Sequence, residues 1–403
     1  MNRQLTLIKW LTFVMFMMFA MTTDSVGVII PQIIKEFRLS MTEAGAFHYA
    51  PMTAIGLAGI FLGFLADRIG RNKTIILGLV LFAANSFLFA AGNAFLFFVG
   101  LLTISGAAIG VFKTGALALI GDISSSTREH TSTMNMVEGF FGAGAIIGPA
   151  IVARLLEGGV SWKWLYVIAG SMCVVLIGIA ATVNYPRTMK TADEPVDLKR
   201  TLVMMKNPYA LAFSLAAFLY VAVECAIYVW MPTLLADYHG PATLIALYAL
   251  SIFFILRAAG RFLGAWVLQH FDWTLVLAVF SFAILVCFAA SMEFGVDAAV
   301  YLLPLSGLFM SMMYPTINSK GISCFPKSSH GAVAGVILFF TCFGAALGPL
   351  SMGAISDAFG SPRYGFLLAT GFAGLLFAGL AVNYLLKPAS ALLAQLDRSE
   401  YTA

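Results

Sequence analysis

The chain has 403 residues, of which 61% are hydrophobic and only 10% are charged, and its formal net charge is +4. A typical soluble protein carries about 25% charged residues, so this composition excludes an ordinary water-soluble fold. Nearly uncharged stretches of about 18 residues or more recur from end to end, and this is the length that crosses a bilayer core. The basic residues are scattered over short loops, which argues against a nucleic acid as partner.

The side chains that usually carry chemistry do not form a recognisable catalytic or metal-binding pattern. The five cysteines lie in apolar runs without CxxC spacing, so neither a disulfide framework nor a zinc site is indicated. The sequence shows no nucleophile and base set, phosphate-binding loop or cluster of metal ligands. We therefore expect a protein that is not an enzyme and has no metal or cofactor.

The first apolar run, about residues 7–34, contains Asp24 and lacks a small-residue cleavage site, so it is a membrane span and not a cleaved signal peptide. Charged, Gly and Pro clusters divide the chain into twelve apolar segments of about 20 residues. These segments predict an all-α integral membrane protein with 12 transmembrane helices in two pseudo-symmetric six-helix halves. The predicted divisions are an N-terminal half (1–183), a central linker (184–207), a C-terminal half (208–387) and a tail (388–403).

The loop charges predict the orientation of the chain. If the helices alternate in direction, fourteen of the lysines and arginines fall on one side of the membrane and five on the other. Because cytoplasmic loops carry an excess of basic residues, both termini and the linker are expected in the cytoplasm of a bacterial inner (plasma) membrane.

The two halves repeat each other at an offset of 200 to 201 residues. The matches are Ala58–Gly63 with Ala259–Gly264, Gly144–Pro149 with Gly344–Pro349, and Pro31 with Pro232. In a transporter, such a repeat implies two parallel six-helix halves and a substrate site near the midplane.

A pattern of glycines and charged residues lies between the second and third helices, from Gly63 to Lys73. It resembles the signature loop of the major facilitator superfamily, G-x3-D-R-x-G-R-x-K. Gly63 allows two helices to approach closely, Gly70 permits a tight turn, and Asp67 can cap or pair with a helix end. We expect these residues to gate the rocking motion, although the loop also serves as a positively charged topological signal. The candidate gating residues are Gly63, Asp67, Arg68, Gly70 and Arg71.

Five ionisable residues lie inside the apolar segments: Asp24, Lys113, Glu138, Glu224 and Arg257. Each costs about 2.5 to 3.5 kcal/mol at a helix centre, so each tends to face a cavity or a partner of opposite charge. One interpretation is that the two bases only neutralise the acids. Another is that one carboxylate carries the coupling proton, and Asp24 and Glu138 are the first candidates for this role.

Helix five provides a candidate substrate-binding face, because Asn135, Glu138 and Gly142 share one side at helical spacing. Asn85 could add hydrogen bonds in the cavity, and aromatic residues such as Tyr314 could add hydrogen bonds or a stacking platform. The full set of candidate substrate-binding residues is Lys113, Asn135, Glu138, Arg257, Tyr314 and Glu224.

Three segments resemble the fucose:proton and glucose/mannose:proton symporter family: Glu138–Ala145, Ala217–Glu224 and Gly260–Gly264. The resemblance implies a sugar contact for Glu138 and a proton-coupling role for Asp24. It also implies an acid in helix four, where Gly110–Thr114 instead contains Lys113 and so reverses the local charge.

A lysine together with Arg257 suits the carboxylate of an acidic solute. We therefore predict a secondary active transporter that moves a sugar or sugar acid by proton-coupled alternating access. A proton-driven exporter of amphipathic drugs is the main alternative, and a non-transport sensor or structural membrane protein is a distant third. The expected partners are the solute, a coupling ion that is a proton or sodium, and membrane lipid, and we expect the protein to work as a monomer.

Overall fold

The structure is a computed structural model that describes residues 3–62, 65–123, 127–183, 185, 205–325 and 330–400. Throughout these ranges the regular structure is helical. The chain divides into two compact units, one formed by residues 1–39 and 44–193 and the other by residues 40–43 and 194–403. Most of the predicted linker, 184–207, lies outside the described residues, so the linker boundaries stay a prediction.

The first unit contains most of the helices before the linker. Its helices are α1 (Arg3–Thr23), α2 (Val26–Phe37), α4 (Ala46–Leu62), α5 (Leu65–Arg68), α6 (Arg71–Leu88), α7 (Phe95–Ile123), α8 (Thr127–Glu157) and α9 (Trp164–Thr182). The short helix α3 (Met41–Ala44) begins in the segment that belongs to the second unit. There the Asp357 carboxylate accepts hydrogen bonds from the N–H groups of Met41 and Thr42, each at 2.7 Å.

The second unit repeats this series of helices. Its helices are α10 (Pro208–Cys225), α11 (Met231–Leu234), α12 (Thr243–Leu247), α13 (Ala249–His270), α14 (Trp273–Glu293), α15 (Val296–Met310), α16 (Met313–Ser323), α17 (His330–Phe359), α18 (Pro362–Leu386) and α19 (Ser390–Glu400). A π-helical segment, Ala226–Trp230, joins α10 to α11.

Ten stretches of the described residues are long and apolar enough to cross a membrane, five in each unit. The two further long helices are α4, with 17 residues, and α13, with 22 residues including Arg257 and Arg261. Together these elements agree with the predicted twelve-helix architecture.

Helix pairing within each unit follows the same scheme. In the first unit the main pairs are α1 with α8, α4 with α7, α6 with α7 and α6 with α9. In the second unit they are α10 with α17, α13 with α15, α14 with α15 and α14 with α18. The prediction of two pseudo-symmetric halves is therefore confirmed.

The closest helix contacts also recur at the offset found in the sequence. A methyl group added to Gly148 of α8 would overlap the Met21 carbonyl oxygen of α1. In the second unit, a methyl on Gly348 of α17 would lie 2.8 Å from the Ala222 Cα of α10. The two glycines are 200 residues apart in the sequence, and their partners, Met21 and Ala222, are 201 residues apart. Small residues thus let the backbones of the first and fifth helices of each half meet directly.

The first helix of each half is interrupted at equivalent positions. Asp24 and Ser25 form a turn between α1 and α2, where the buried Ser25 hydroxyl donates to the Met21 carbonyl at 2.6 Å. In the second half, α10 ends at Cys225 and the π-helical segment begins at Ala226. Transporters place discontinuous helices of this kind at their binding sites, and π-bulges are frequent at functional sites.

Candidate substrate and proton site

The second half contains a buried ion pair beside its helix interruption. Glu224 occupies the last turn of α10, and its Oε1 lies 2.6 Å from Nη2 of Arg257 on α13. The Glu224 side chain is 8% exposed and the Arg257 side chain is 20% exposed. The arginine is therefore the more accessible member of the pair.

The Tyr220 hydroxyl completes the surroundings of Glu224. Tyr220 lies one helical turn before Glu224 and is fully buried. Its oxygen is 3.0 Å from Glu224 Oε1 and also 3.0 Å from the carbonyl oxygen of Met310, at the end of α15. A phenol has one O–H to donate and can also accept, so the hydroxyl can bond to both groups at once when Glu224 carries a proton.

Tyr314 and Arg261 extend this group of side chains. The Tyr314 ring stacks on that of Tyr220 with 6.3 Å between centroids, and Thr341 Oγ1 lies 3.5 Å from the Tyr314 hydroxyl. Arg261 follows Arg257 by one turn of α13 and so lies on the same side of that helix. We call Tyr220, Glu224, Arg257, Arg261 and Tyr314 the C-half polar cluster.

In the first half, Asp24 sits in the interruption between α1 and α2. Its residue is 8% exposed, and its Oδ2 accepts a hydrogen bond from the Thr23 hydroxyl at 2.9 Å. A buried carboxylate at a helix break can take up a proton when the surrounding dielectric changes.

Lys113 lies on α7 and is half-buried, with its Nζ 5.2 Å from the centroid of the Phe141 ring on α8. This distance is within the range of a cation–π contact. Glu138 lies one turn before Phe141 on the same helix and is exposed, while the Asn135 side chain lies outside the described part of the chain.

The predicted gating loop is described only in part. Gly63 lies outside the described residues, and Asp67 and Arg68 form the end of α5 with side chains that also lie outside them. Gly70 has a φ of 92°, which favours glycine, and it directly precedes Arg71, the first residue of α6. The gating role of these five residues stays a prediction.

Sequence reasoning missed three members of these sites: Tyr220, Arg261 and Phe141. Each lies three or four residues from a predicted charge on the same helix, which is the spacing that brings side chains together. Asn85, in contrast, looked like a candidate for the cavity but donates to Leu101 O and Ser105 Oγ, each at 2.7 Å. These contacts hold α6 against α7 within the first half.

Two repeated six-helix halves with ionisable side chains inside apolar helices define a secondary transporter. A model of the Major Facilitator Superfamily matches residues 12–349, and the chain belongs to this superfamily. Its members are transporters and not enzymes, and the protein is an integral, multi-pass membrane protein.

Individual relatives show similarity to both sugar carriers and a drug exporter. The chain is 24% identical to the glucose/galactose transporter of Brucella abortus over 362 residues, which cover 86% of this chain and 87% of that protein. It is 27% identical to the quinolone resistance protein NorA of Staphylococcus aureus over 178 residues, 43% of each chain. The solved structure of the fucose:proton symporter FucP of E. coli superimposes with a TM-score of 0.66 and 20% identity, covering 94% of this chain and 99% of that one.

Proposed function

We propose that this protein is a proton-coupled transporter of a sugar or sugar acid in a bacterial inner membrane, with both termini in the cytoplasm. The observation that carries the proposal is the Glu224–Arg257 ion pair, 2.6 Å long and largely buried in apolar helices. Ionisable groups that are buried among apolar membrane helices are costly in free energy and usually serve transport. A cavity for amphipathic drugs would instead be mostly aromatic and apolar.

The extent of the similarity to known carriers supports a sugar-related solute. The glucose/galactose transporter aligns with most of both chains, whereas NorA aligns with 43% of each. The NorA similarity is the observation that favours the second candidate, a proton-driven exporter of amphipathic compounds.

The proposed roles follow from charge and position. Lys113 and Arg257 bind the solute, a proton resides on Asp24 or Glu138, and the loop from Gly63 to Arg71 gates the alternation of access. Asn135, Glu138, Glu224 and Tyr314 complete the proposed substrate-binding set. The coupling ion is taken as a proton, with sodium as the other possibility.

The test is uptake into proteoliposomes of labelled D-glucose and D-gluconate under an imposed proton gradient, with Lys113→Glu beside the parent. Lys163→Glu is the matched control, because Lys163 Nζ also lies over a phenylalanine ring, 5.0 Å from the Phe98 centroid. We expect gradient-driven uptake by the parent and by Lys163→Glu. Loss of gluconate uptake in Lys113→Glu makes Lys113 a solute-binding residue.

Other results would change the proposal in defined ways. Glucose uptake that survives Lys113→Glu makes this lysine a counter-ion and the solute a neutral sugar. Absence of gradient-driven uptake of both solutes contradicts the proposal, and ethidium efflux from the same energised vesicles would then favour the exporter.

A further inference from the structure

The C-half polar cluster supports an inference that rests on the proposed function and deepens it. We infer that a solute carboxylate displaces Glu224 from Arg257, and that Glu224 takes up one proton when this happens. The solute class is thus a carboxylate anion such as a sugar acid, and Glu224, in place of Asp24 or Glu138, is the residue that couples the proton to it.

The first step depends on the accessibility of the arginine. The Arg257 side chain is 20% exposed and that of Glu224 is 8% exposed, so the arginine offers more surface to an incoming anion than the glutamate does. A guanidinium presents five N–H donors in a planar fork that matches a carboxylate. The solute can therefore form the same type of ion pair that Glu224 forms with Arg257.

The second step follows from the burial of Glu224. A carboxylate that loses its cation in an apolar surrounding is strongly disfavoured unless its charge is neutralised. A proton from the aqueous side supplies that neutralisation: the Arg257–Glu224 ion pair breaks, the Arg257–solute ion pair forms, and one O–H bond forms on Glu224. One anion and one proton enter together, so the net charge of the cluster does not change.

The third step is the accommodation of the proton, and here the position of Tyr220 is decisive. In the ion-paired state the Tyr220 hydroxyl can donate to Glu224 Oε1, 3.0 Å away. When Glu224 is protonated, its O–H can donate to the Tyr220 oxygen while Tyr220 donates to Met310 O, also 3.0 Å away. Because Tyr220 is fully buried, it supplies in both states a partner that water would otherwise have to provide.

The surrounding groups fit this exchange. The charged and titratable neighbours are Arg257 and Arg261 on α13, Tyr220 on α10 itself and Tyr314 on α16. These neighbours include two cations, Arg257 and Arg261, whereas Glu224 is the acid of the cluster. The two positive charges therefore favour the binding of an anion there. Glu224 also directly precedes Cys225 and the π-helical segment, where the regular backbone bonding of the helix changes.

The test counts protons taken up on binding, using calorimetry of the purified full-length protein in two buffers with different ionisation enthalpies. At pH 7.5 we expect the parent to take up about one proton per D-gluconate bound, and its affinity to fall about tenfold per pH unit above neutrality. Glu224→Gln should take up about none, with an affinity that no longer depends on pH. Glu157→Gln is the matched control, since Glu157 is an exposed glutamate whose side chain is 52% accessible, and it should behave as the parent.

Tyr220→Phe provides a second variant that keeps the ring and removes only the hydroxyl. We expect it to take up fewer protons than the parent at the same pH, a change that a purely structural loss of stability would not produce. Equal proton uptake by Glu224→Gln and the parent would overturn the inference and place the proton on Asp24 or Glu138. Gluconate binding by the parent without proton uptake, or binding of glucose alone, would also overturn it and leave the transport of sugars standing. Failure of both solutes to bind would instead contradict the proposed function.

Discussion

Replacing Arg257 with methionine should strongly destabilise the protein at neutral pH, because it leaves the buried Glu224 without its cation. The side chain keeps a similar length and apolar stem, so packing changes little while the charge is lost. In the double variant Arg257→Met with Glu224→Gln, no charge is stranded, and most of the stability should return.

The magnitude follows from the geometry. At 2.6 Å and an effective dielectric constant of about 20, the gross attraction of the pair is ~6 kcal/mol, much of which desolvation offsets. Removal of one partner of a buried pair costs about 3–5 kcal/mol. Protonation of a glutamate with a reference pKa of about 4.3 limits the stranded-charge penalty to ~3.7 kcal/mol at pH 7 and ~1 kcal/mol at pH 5.

The assay is reversible unfolding in mixed detergent micelles, followed at pH 7 and pH 5 for the parent, the single variants and the double variant. The penalty of Arg257→Met relative to the double variant should shrink by about 2.7 kcal/mol between the two pH values. Arg154→Met is the matched control, because Arg154 pairs with Glu157 at 2.7 Å with side chains 79% and 52% exposed. That change should cost less than about 1 kcal/mol at either pH.

A penalty for Arg257→Met that is independent of pH would refute this reasoning, since a stranded carboxylate must titrate. The same conclusion would follow if the double variant were as unstable as the sum of the two single changes, because the two side chains would then not interact.

Two further predictions concern stability elsewhere in the second half. Asp272→Ala should cost about 1 kcal/mol in unfolding free energy, because the Asp272 side chain accepts hydrogen bonds from Thr274 at the start of α14. Those bonds hold the pKa of Asp272 below its usual range, so its contribution is present at neutral pH and is lost as pH falls through the lowered pKa. An equal cost at pH 7 and pH 2 would contradict this. Gly348→Ala should lower the free energy of unfolding by about 1–3 kcal/mol, because the added methyl group contacts Ala222. Gly371→Ala, whose added methyl group meets nothing within 4 Å, should raise it by about 0.5–1 kcal/mol. Similar thermal unfolding of the two variants would contradict the packing argument.

The sequence predicted the helical fold well because the bilayer imposes a length and composition on every span. The repeat predicted the matching glycines, and the structure places Gly148 and Gly348 in equivalent backbone contacts. The interruption at Asp24 and Ser25 was not predicted, since neither position is a glycine or proline and Gly27 and Pro31 lie further along, within α2. It depends instead on a local bond from the Ser25 hydroxyl to the Met21 carbonyl four residues earlier, and on the nearby backbone of α8, which is a tertiary effect.

The candidate site was only partly predictable for a related reason. The stranded charges Glu224 and Arg257 stand out from an apolar background, so both were found. Tyr220 could not be separated from the many packing aromatics, because its role depends on the carbonyl of Met310, 90 residues away. Asn85 gave the opposite error, since a lone amide in a membrane helix suits interhelical packing as well as a cavity.

Under the proposed proton coupling, the direct backbone contacts at Gly148 and Gly348 have a consequence for how protons reach the acids. A contact without interleaved side chains cannot slide by exchanging rotamers, so α1 with α8, and α10 with α17, must each travel as a fixed pair. Asp24 follows Met21 by three residues and Glu224 follows Ala222 by two, so each acid is anchored next to such a contact. Each carboxyl group thus keeps a constant depth within its own helix pair, and its exchange between the two aqueous phases requires movement of the other helices around it.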